Sequence, residues 1–248
     1  MSGVVLLIYG DSLSLPRAQG GVSGLDTYPE LLREKLSQRE RVAVLNRSRG
    51  GASIEEIYRQ YISDSVYFGT EARHILVIQC GIVDCAPRPV APSVKSRIAR
   101  LPTPLRWAVA RMLHYARPFM LRAGLVWRNT AQETFAQVLS EWLARGEKIA
   151  HSIYVIDIAP TTAATDAHSP GLASSISVYN ALIAKVLEAP RSVPVHLVDV
   201  HRAISQRPDG VRECIDADGH HITLAGHRLY ADLIAQSARQ RVEAQVPS

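Results

Sequence analysis

The first dozen residues limit what this chain can fold into more than any other stretch. Val4-Val5-Leu6-Leu7-Ile8 is a continuous, largely β-branched apolar run, not an alternating one, which is how a strand buried on both faces of a parallel sheet reads. It stops abruptly at Tyr9-Gly10-Asp11-Ser12-Leu13-Ser14. In open parallel sheets the reactive groups sit outside the carboxyl ends of the strands, so Ser12 is delivered to the edge where ligands bind, with Gly10 expected to let the backbone turn. An isolated Gly-Asp-Ser is also an ordinary strand-to-helix turn in which Ser or Asp caps a helix. The far end of the chain decides between these readings.

There the sequence runs Asp216-Ala217-Asp218-Gly219-His220-His221-Ile222-Thr223. A serine hydroxyl is a poor nucleophile unless an imidazole takes its proton and a third group holds that imidazole. Three residues before His221 stands Asp218, whereas three before His220 stands Ala217. His221 is therefore the expected base and Asp218 its orienter, with His227 on the following helix.

The pattern between these ends is α/β. The expected strands are the first run, then Val42 to Leu45, closed by Asn46, His74 to Gln79, Ile153 to Ile158 and Val195 to Val200. Between them, Pro29 and Glu30 suit a first helical turn, and Ser53-Ile54-Glu55-Glu56 opens a helix as a capping box. Further helices are expected from Thr130 to before Gly146, from Ser174 to Leu187 and from Leu224 to about Val242. This alternation predicts one domain over residues 1–248, a three-layer α/β/α (flavodoxin-like) fold with a central parallel sheet of about five strands. A chain of 248 residues that is 47% hydrophobic can bury a sizeable core in one domain.

Together the two ends resemble the GDSL, or SGNH, hydrolases, whose nucleophile lies in an N-terminal Gly-Asp-Ser-Leu and whose Asp-x-x-His lies near the C-terminus. Gly10-Asp11-Ser12-Leu13 matches the first motif without a change. The family's second signature is a glycine after the second strand, and Arg49-Gly50-Gly51-Ala52-Ser53 fits it with Gly51 in the oxyanion position. Its third is Gly-x-Asn-Asp. Here Gly81-Ile82-Val83-Asp84 stands in its place, so Val83 occupies the position of the asparagine that would donate to the oxyanion. The resemblance implies an esterase or O-deacylase working through a Ser12 acyl-enzyme, with the Ser12 and Gly51 amides as oxyanion donors and no cofactor or metal. An acyltransferase or thioesterase uses the same intermediate. A reading from another class is a binding or scaffolding protein in which the missing asparagine reports lost catalysis.

One segment breaks the pattern. Between Cys85 and Arg128, about residues 85–128, the chain carries nine basic residues and no Asp or Glu, interleaved with Trp107, Tyr115, Phe119 and Trp127, while the net charge of the whole chain is only +5. The positive field is thus local. Pro102, Pro104 and Pro118 are expected to cut this insertion into short helices forming a cap at the carboxyl edge of the sheet. A solvated helical insertion would look the same, its arginine stems covering apolar surface. An anionic small-molecule or glycan ester, contacted by Asp11, Arg97, Arg100, Arg106 and Arg111, suits it because Arg binds carboxylate and phosphate in bidentate fashion. Peripheral membrane contact is a second use of such a segment; nucleic acid, for which no recognised motif is present, is a third. Cys80, Cys85 and Cys214 lack metal-ligand spacing and read as reduced thiols. The first strand begins almost at Met1 and no apolar run is long enough to span a bilayer, so the expected location is cytoplasmic.

Overall fold

A computed structural model of the chain describes residues 3–38, 40–69 and 73–244. Strand β1 (Val4–Gly10) leads through short 3₁₀ turns into helix α1 (Tyr28–Ser37), then β2 (Val42–Asn46), α2 (Ile54–Ser65) and β3 (Arg73–Gln79). The one-turn helix α3 (Ile82–Cys85) follows, then α4 (Pro92–Ala99), α5 (Thr103–Arg122) and α6 (Gln132–Gly146). β4 (Ala150–Ile156), α7 (Ala163–His168), α8 (Leu172–Leu187), β5 (Val195–Val198), α9 (Val200–Ser205), α10 (Gly210–Cys214) and α11 (Leu224–Ala244) complete the described chain.

All strand pairs are parallel and the sheet order is β2-β1-β3-β4-β5. The central strands β1, β3 and β4 are buried on both faces, as their continuous apolar runs require, while the edge strands β2 and β5 are partly exposed. Leu7, Tyr9, Leu76, Ile78, Ile153 and Val155 pack under α2, α6 and α8. Leu6, Ile8, Ile75, Val77, Tyr154 and Ile156 pack under α1, α9 and α11. This is the three-layer α/β/α arrangement. After β2 the chain crosses to the other side of β1, so the order reverses between β1 and β3, the switch point outside whose carboxyl ends ligands bind in such sheets. Ser12 leaves β1 and Val83 leaves β3 at that point.

Two expectations need correction. β5 ends at Val198 instead of Val200 because the Asp199 carboxylate accepts from the Arg202 N–H at 2.9 Å and starts α9. The prolines do not cut the insertion into short helices either. Pro104 sits in the first turn of α5, where no N–H partner is lost, and the 20-residue helix runs through Pro118 to Arg122. The insertion is pinched at its base by Arg88 and Trp127, whose amides and carbonyls exchange hydrogen bonds of 2.8 Å in both directions. No helix among the described residues is long and apolar enough to cross a membrane.

Candidate active site

The nucleophile turn is built from below. An added Cβ at Gly10 would lie 2.6 Å from Ser14 Oγ and 2.9 Å from the Gln79 carbonyl, so glycine is needed there for close approach to β3, not for a turn conformation. Asp11 follows, fully buried, its Oδ1 accepting from the Leu13 N–H at 2.9 Å and capping the 3₁₀ turn that presents Ser12. Asp11 is thus a support of the turn, and the expectation that it touches substrate is corrected by its burial. Burial also pushes its carboxyl up to about 7, against the opposing Leu13 hydrogen bond. Beneath it, Ser14 Oγ donates to Gln79 Oε1 at 3.1 Å and lies 2.8 Å from the Tyr28 hydroxyl.

His221 Nε2 lies 3.0 Å from Ser12 Oγ, and His221 Nδ1 lies 2.7 Å from Asp218 Oδ2. The other Asp218 oxygen accepts from the His220 and His221 backbone N–H groups at 3.1 and 3.0 Å. An acid three residues before a histidine in a tight turn can therefore hold both the backbone and the ring of that histidine. Burial alone would raise the Asp218 carboxyl, but these donors outweigh it and hold it well below the usual carboxylate range. His221 is lowered, chiefly by burial, with the Asp218 hydrogen bond opposing. A neutral imidazole facing a serine hydroxyl, with an ionised carboxylate behind it, is the arrangement proton abstraction needs. The His220 ring lies tilted against that of His221, centroids 4.3 Å apart, with its Nδ1 3.2 Å from the Asp218 carbonyl, and buried His227 accepts from the Tyr28 N–H at 3.0 Å.

The loop after β2 runs on beside the nucleophile. Arg49 N–H donates to the Gly10 carbonyl at 2.9 Å, and the following Gly50-Gly51 turn passes Ser12 so closely that a Cβ on Gly50 would stand 3.9 Å from Ser12 Cβ. Gly51 has a φ of +71°, which favours glycine. Among the described residues, neither the Ser12 nor the Gly51 N–H has a hydrogen-bond partner, so both are free to donate. Asp84, on α3 just after β3, anchors this loop: its carboxylate accepts from the Ile54 N–H at 3.1 Å and from the Thr130 hydroxyl. Val83, half-buried, offers only a carbonyl, which accepts from Arg88 Nη2 at 3.3 Å.

Sequence reasoning missed the supports. Arg17 reaches across with Nη2 2.7 Å from Asp218 and Nη1 2.5 Å from Asp216, tying the nucleophile's loop to the acid's. The only signal was one arginine in an otherwise uncharged stretch between Asp11 and Asp26. Asn46, expected only to close β2, donates from Nδ2 to the Ser14 carbonyl at 2.9 Å and accepts from the Ser48 N–H at 3.0 Å. The insertion's expected contacts, Arg97, Arg100, Arg106 and Arg111, are exposed on and between α4 and α5, and none has a hydrogen bond or ion pair with Ser12, Asp218 or His221. The insertion meets the site through α7 instead. Arg117 on α5 donates to Ser169 Oγ and the Pro87 carbonyl, both at 2.7 Å, and Thr165 on α7 donates to the Asp218 carbonyl at 3.3 Å. Cys80, Cys85 and Cys214 are buried free thiols; burial holds all three above the usual thiol range.

The profile of the GDSL-like lipase/acylhydrolase family matches residues 8–229, which spans every element just described from the nucleophile turn to α11. The chain belongs to that family. GDSL-like family members are hydrolases of ester bonds, and solved structures similar to this chain carry the same fold. The lipase/acylhydrolase from Enterococcus faecalis is 18% identical, with a TM-score of 0.64 and 97% of each chain covered. The acetyl xylan esterase AlAXEase is 16% identical, with a TM-score of 0.59 over 94% of this chain and 98% of that one. The psychrotrophic esterase EstA from Pseudoalteromonas sp. is 13% identical, with a TM-score of 0.56 over 96% and 98%. No curated protein matches the chain significantly.

Proposed function

We propose that this GDSL-like hydrolase cleaves an acyl ester through a covalent Ser12 intermediate, and that the carrier of the acyl group, a carbohydrate or lipid-like molecule, is anionic. His221 Nε2 takes the Ser12 proton as Oγ attacks the ester carbonyl carbon, and the tetrahedral oxyanion receives the Ser12 and Gly51 N–H groups. Asp218 stabilises the imidazolium. His221 then gives its proton to the leaving alkoxide oxygen, and a water deprotonated by the same ring releases the acid. The observation that carries the chemistry is the unbroken relay from Ser12 Oγ through His221 at 3.0 Å to Asp218 at 2.7 Å. The anionic carrier is supported by the acid-free insertion beside the site, whose Arg97, Arg100, Arg106 and Arg111 are not neutralised by any carboxylate on their own segment.

A fluorophosphonate reagent tests both parts; EstA, among the similar structures, is itself inhibited by a phosphonate. Ser12 should be labelled, and labelling should disappear in Ser12→Ala and His221→Ala but persist in His220→Ala. A negatively charged reagent should react faster than a neutral one of equal size, with salt narrowing the gap. Labelling that survives His221→Ala sinks the relay. Equal rates for the two reagents sink the anionic preference.

A further inference from the structure

Helix α5 has two apolar faces, and only one is used by the fold. Val109, Leu113, Ala116 and Leu121 turn inward, with Leu121 buried. On another side, Leu105, Met112, Tyr115 and Phe119 recur at helical spacing and are 49%, 61%, 63% and 72% exposed. Trp107, on another side of α5, and Trp127, after it, are 70% and 52% exposed. Single exposed apolar residues are normal, whereas a continuous exposed stripe marks a contact. Arg111 and Arg122 lie along one edge of the stripe, and the Arg111 guanidinium sits 5.7 Å from the centre of the Tyr115 ring.

We infer that the outer face of α5 docks the protein on an anionic lipid surface. Charge complementarity selects this occupant. Residues 86–128 hold nine basic side chains and no acid, so pairing two copies through this stripe would bring arginines together with no carboxylate between them. Nucleic acid would neutralise the arginines but leave Leu105 and Met112 wet. An interfacial bilayer region takes both parts at once: aliphatic and aromatic side chains among the acyl chains, arginines at the headgroups. The consequence for function rests on the proposed ester hydrolysis. Through Arg117, Ser169 and Thr165 the docked helix is joined to the Asp218 turn, so the catalytic site would draw its esters from the membrane surface.

The full-length protein tests this with vesicles of phosphatidylcholine containing about a quarter phosphatidylglycerol, against phosphatidylcholine alone. At low salt the protein should float with the anionic vesicles only. Trp142 is already fully buried, so a blue shift of tryptophan emission, with quenching by brominated acyl chains, reports Trp107 and Trp127. Met112→Ser with Phe119→Ser should weaken vesicle binding by about tenfold or more, and Arg111→Gln with Arg122→Gln by a similar factor, on the scale of two interfacial charges. Hydrolysis of a small soluble ester and Ser12 labelling should stay within about twofold in the Met112/Phe119 variant. No flotation at low salt overturns the inference, as does binding that the serine pair leaves unchanged. A concentration-dependent dimer abolished by Phe119→Ser, or single-stranded RNA bound in preference to vesicles, also overturns it by naming another occupant. Failure of docking with intact Ser12 labelling counts against this inference alone, and loss of labelling counts against the esterase reading.

Discussion

Val83→Asn is the most informative single test of the proposed ester hydrolysis, in which Val83 takes the place of a side-chain oxyanion donor. With only the Ser12 and Gly51 amides available, supplying a third donor should raise kcat on a small activated ester. The ceiling is the worth of one oxyanion-hole donor, about 10²–10³ in rate or roughly 3–4 kcal/mol. The cost in stability is smaller. Val83 is half-buried and packs against the edge of the α2/α6/α8 core, so losing its apolar contact costs about 1 kcal/mol, a fall in Tm of roughly 2–4 °C for a chain of this size. Steady-state hydrolysis of a nitrophenyl ester beside thermal melting separates the two effects. A folded Val83→Asn protein with unchanged or lower kcat refutes the two-donor site. Arg88 is then the group to remove next, since its Nε is buried without a partner and its Nη2 already reaches the Val83 carbonyl at 3.3 Å.

Two further outcomes are expected. Arg17 lowers the His221 pKa as one of the smaller contributions after burial; because a base loses activity as pH falls through its pKa, Arg17→Gln should move the acid limb of kcat/KM to higher pH. A loss of rate with an unmoved pH profile would mean that Arg17 only holds the fold. Asp157 is raised from 3.8 to about 7, first by burial, with the His201 and Val200 N–H groups opposing and Asp199 adding to it. The folded state therefore holds a proton that the unfolded chain has lost across roughly pH 4–7, and stability falls as pH rises through that window. Asp157→Asn should flatten that slope, which is worth up to about 4 kcal/mol. Melting curves at pH 5 and pH 8 that stay parallel to those of the unmodified protein would refute it.

The sheet, and the meeting of Asp218 with His221, were legible because each is written locally. A strand buried on both faces carries a continuous apolar run, as Val4–Ile8 in β1, Ile75–Ile78 in β3 and Ile153–Ile156 in β4 do; an acid can clamp a histidine three residues on, and Asp218 does so with His221. What was not legible is whatever depends on residues far apart in sequence meeting in space. Arg17 and Asp218 are about two hundred residues apart, and nothing near Arg17 announces its partner. Asp11 failed as a substrate contact for the same reason: a carboxylate in a motif looks available until β3 and the Ser14–Tyr28–Gln79 network bury it. Pro118 shows the limit of local rules from the other side, since α5 runs through it to Arg122, tied down around it by buried Leu121 and by the Arg117 hydrogen bonds to Ser169 and Pro87.

Asp84 bears on the alternative reading in which Val83, standing in the place of the family's asparagine, reports lost catalysis. Its carboxyl is buried and raised to about 6, with the Thr130 and Ile54 hydrogen bonds opposing that burial, so keeping it is costly unless its position matters. Its hydrogen bonds go to the amide that starts α2, three residues after Gly51, and to Thr130 ahead of α6. It thus holds the Gly50-Gly51 turn near Ser12 from α3, whose Val83 offers no side-chain donor. A fold kept only for binding would have no reason to retain a buried carboxylate there, whereas a site resting on two backbone donors depends on that anchor more than one with a third donor would. The physical consequence is that the glycine turn, not the valine, is where this site is most sensitive to displacement.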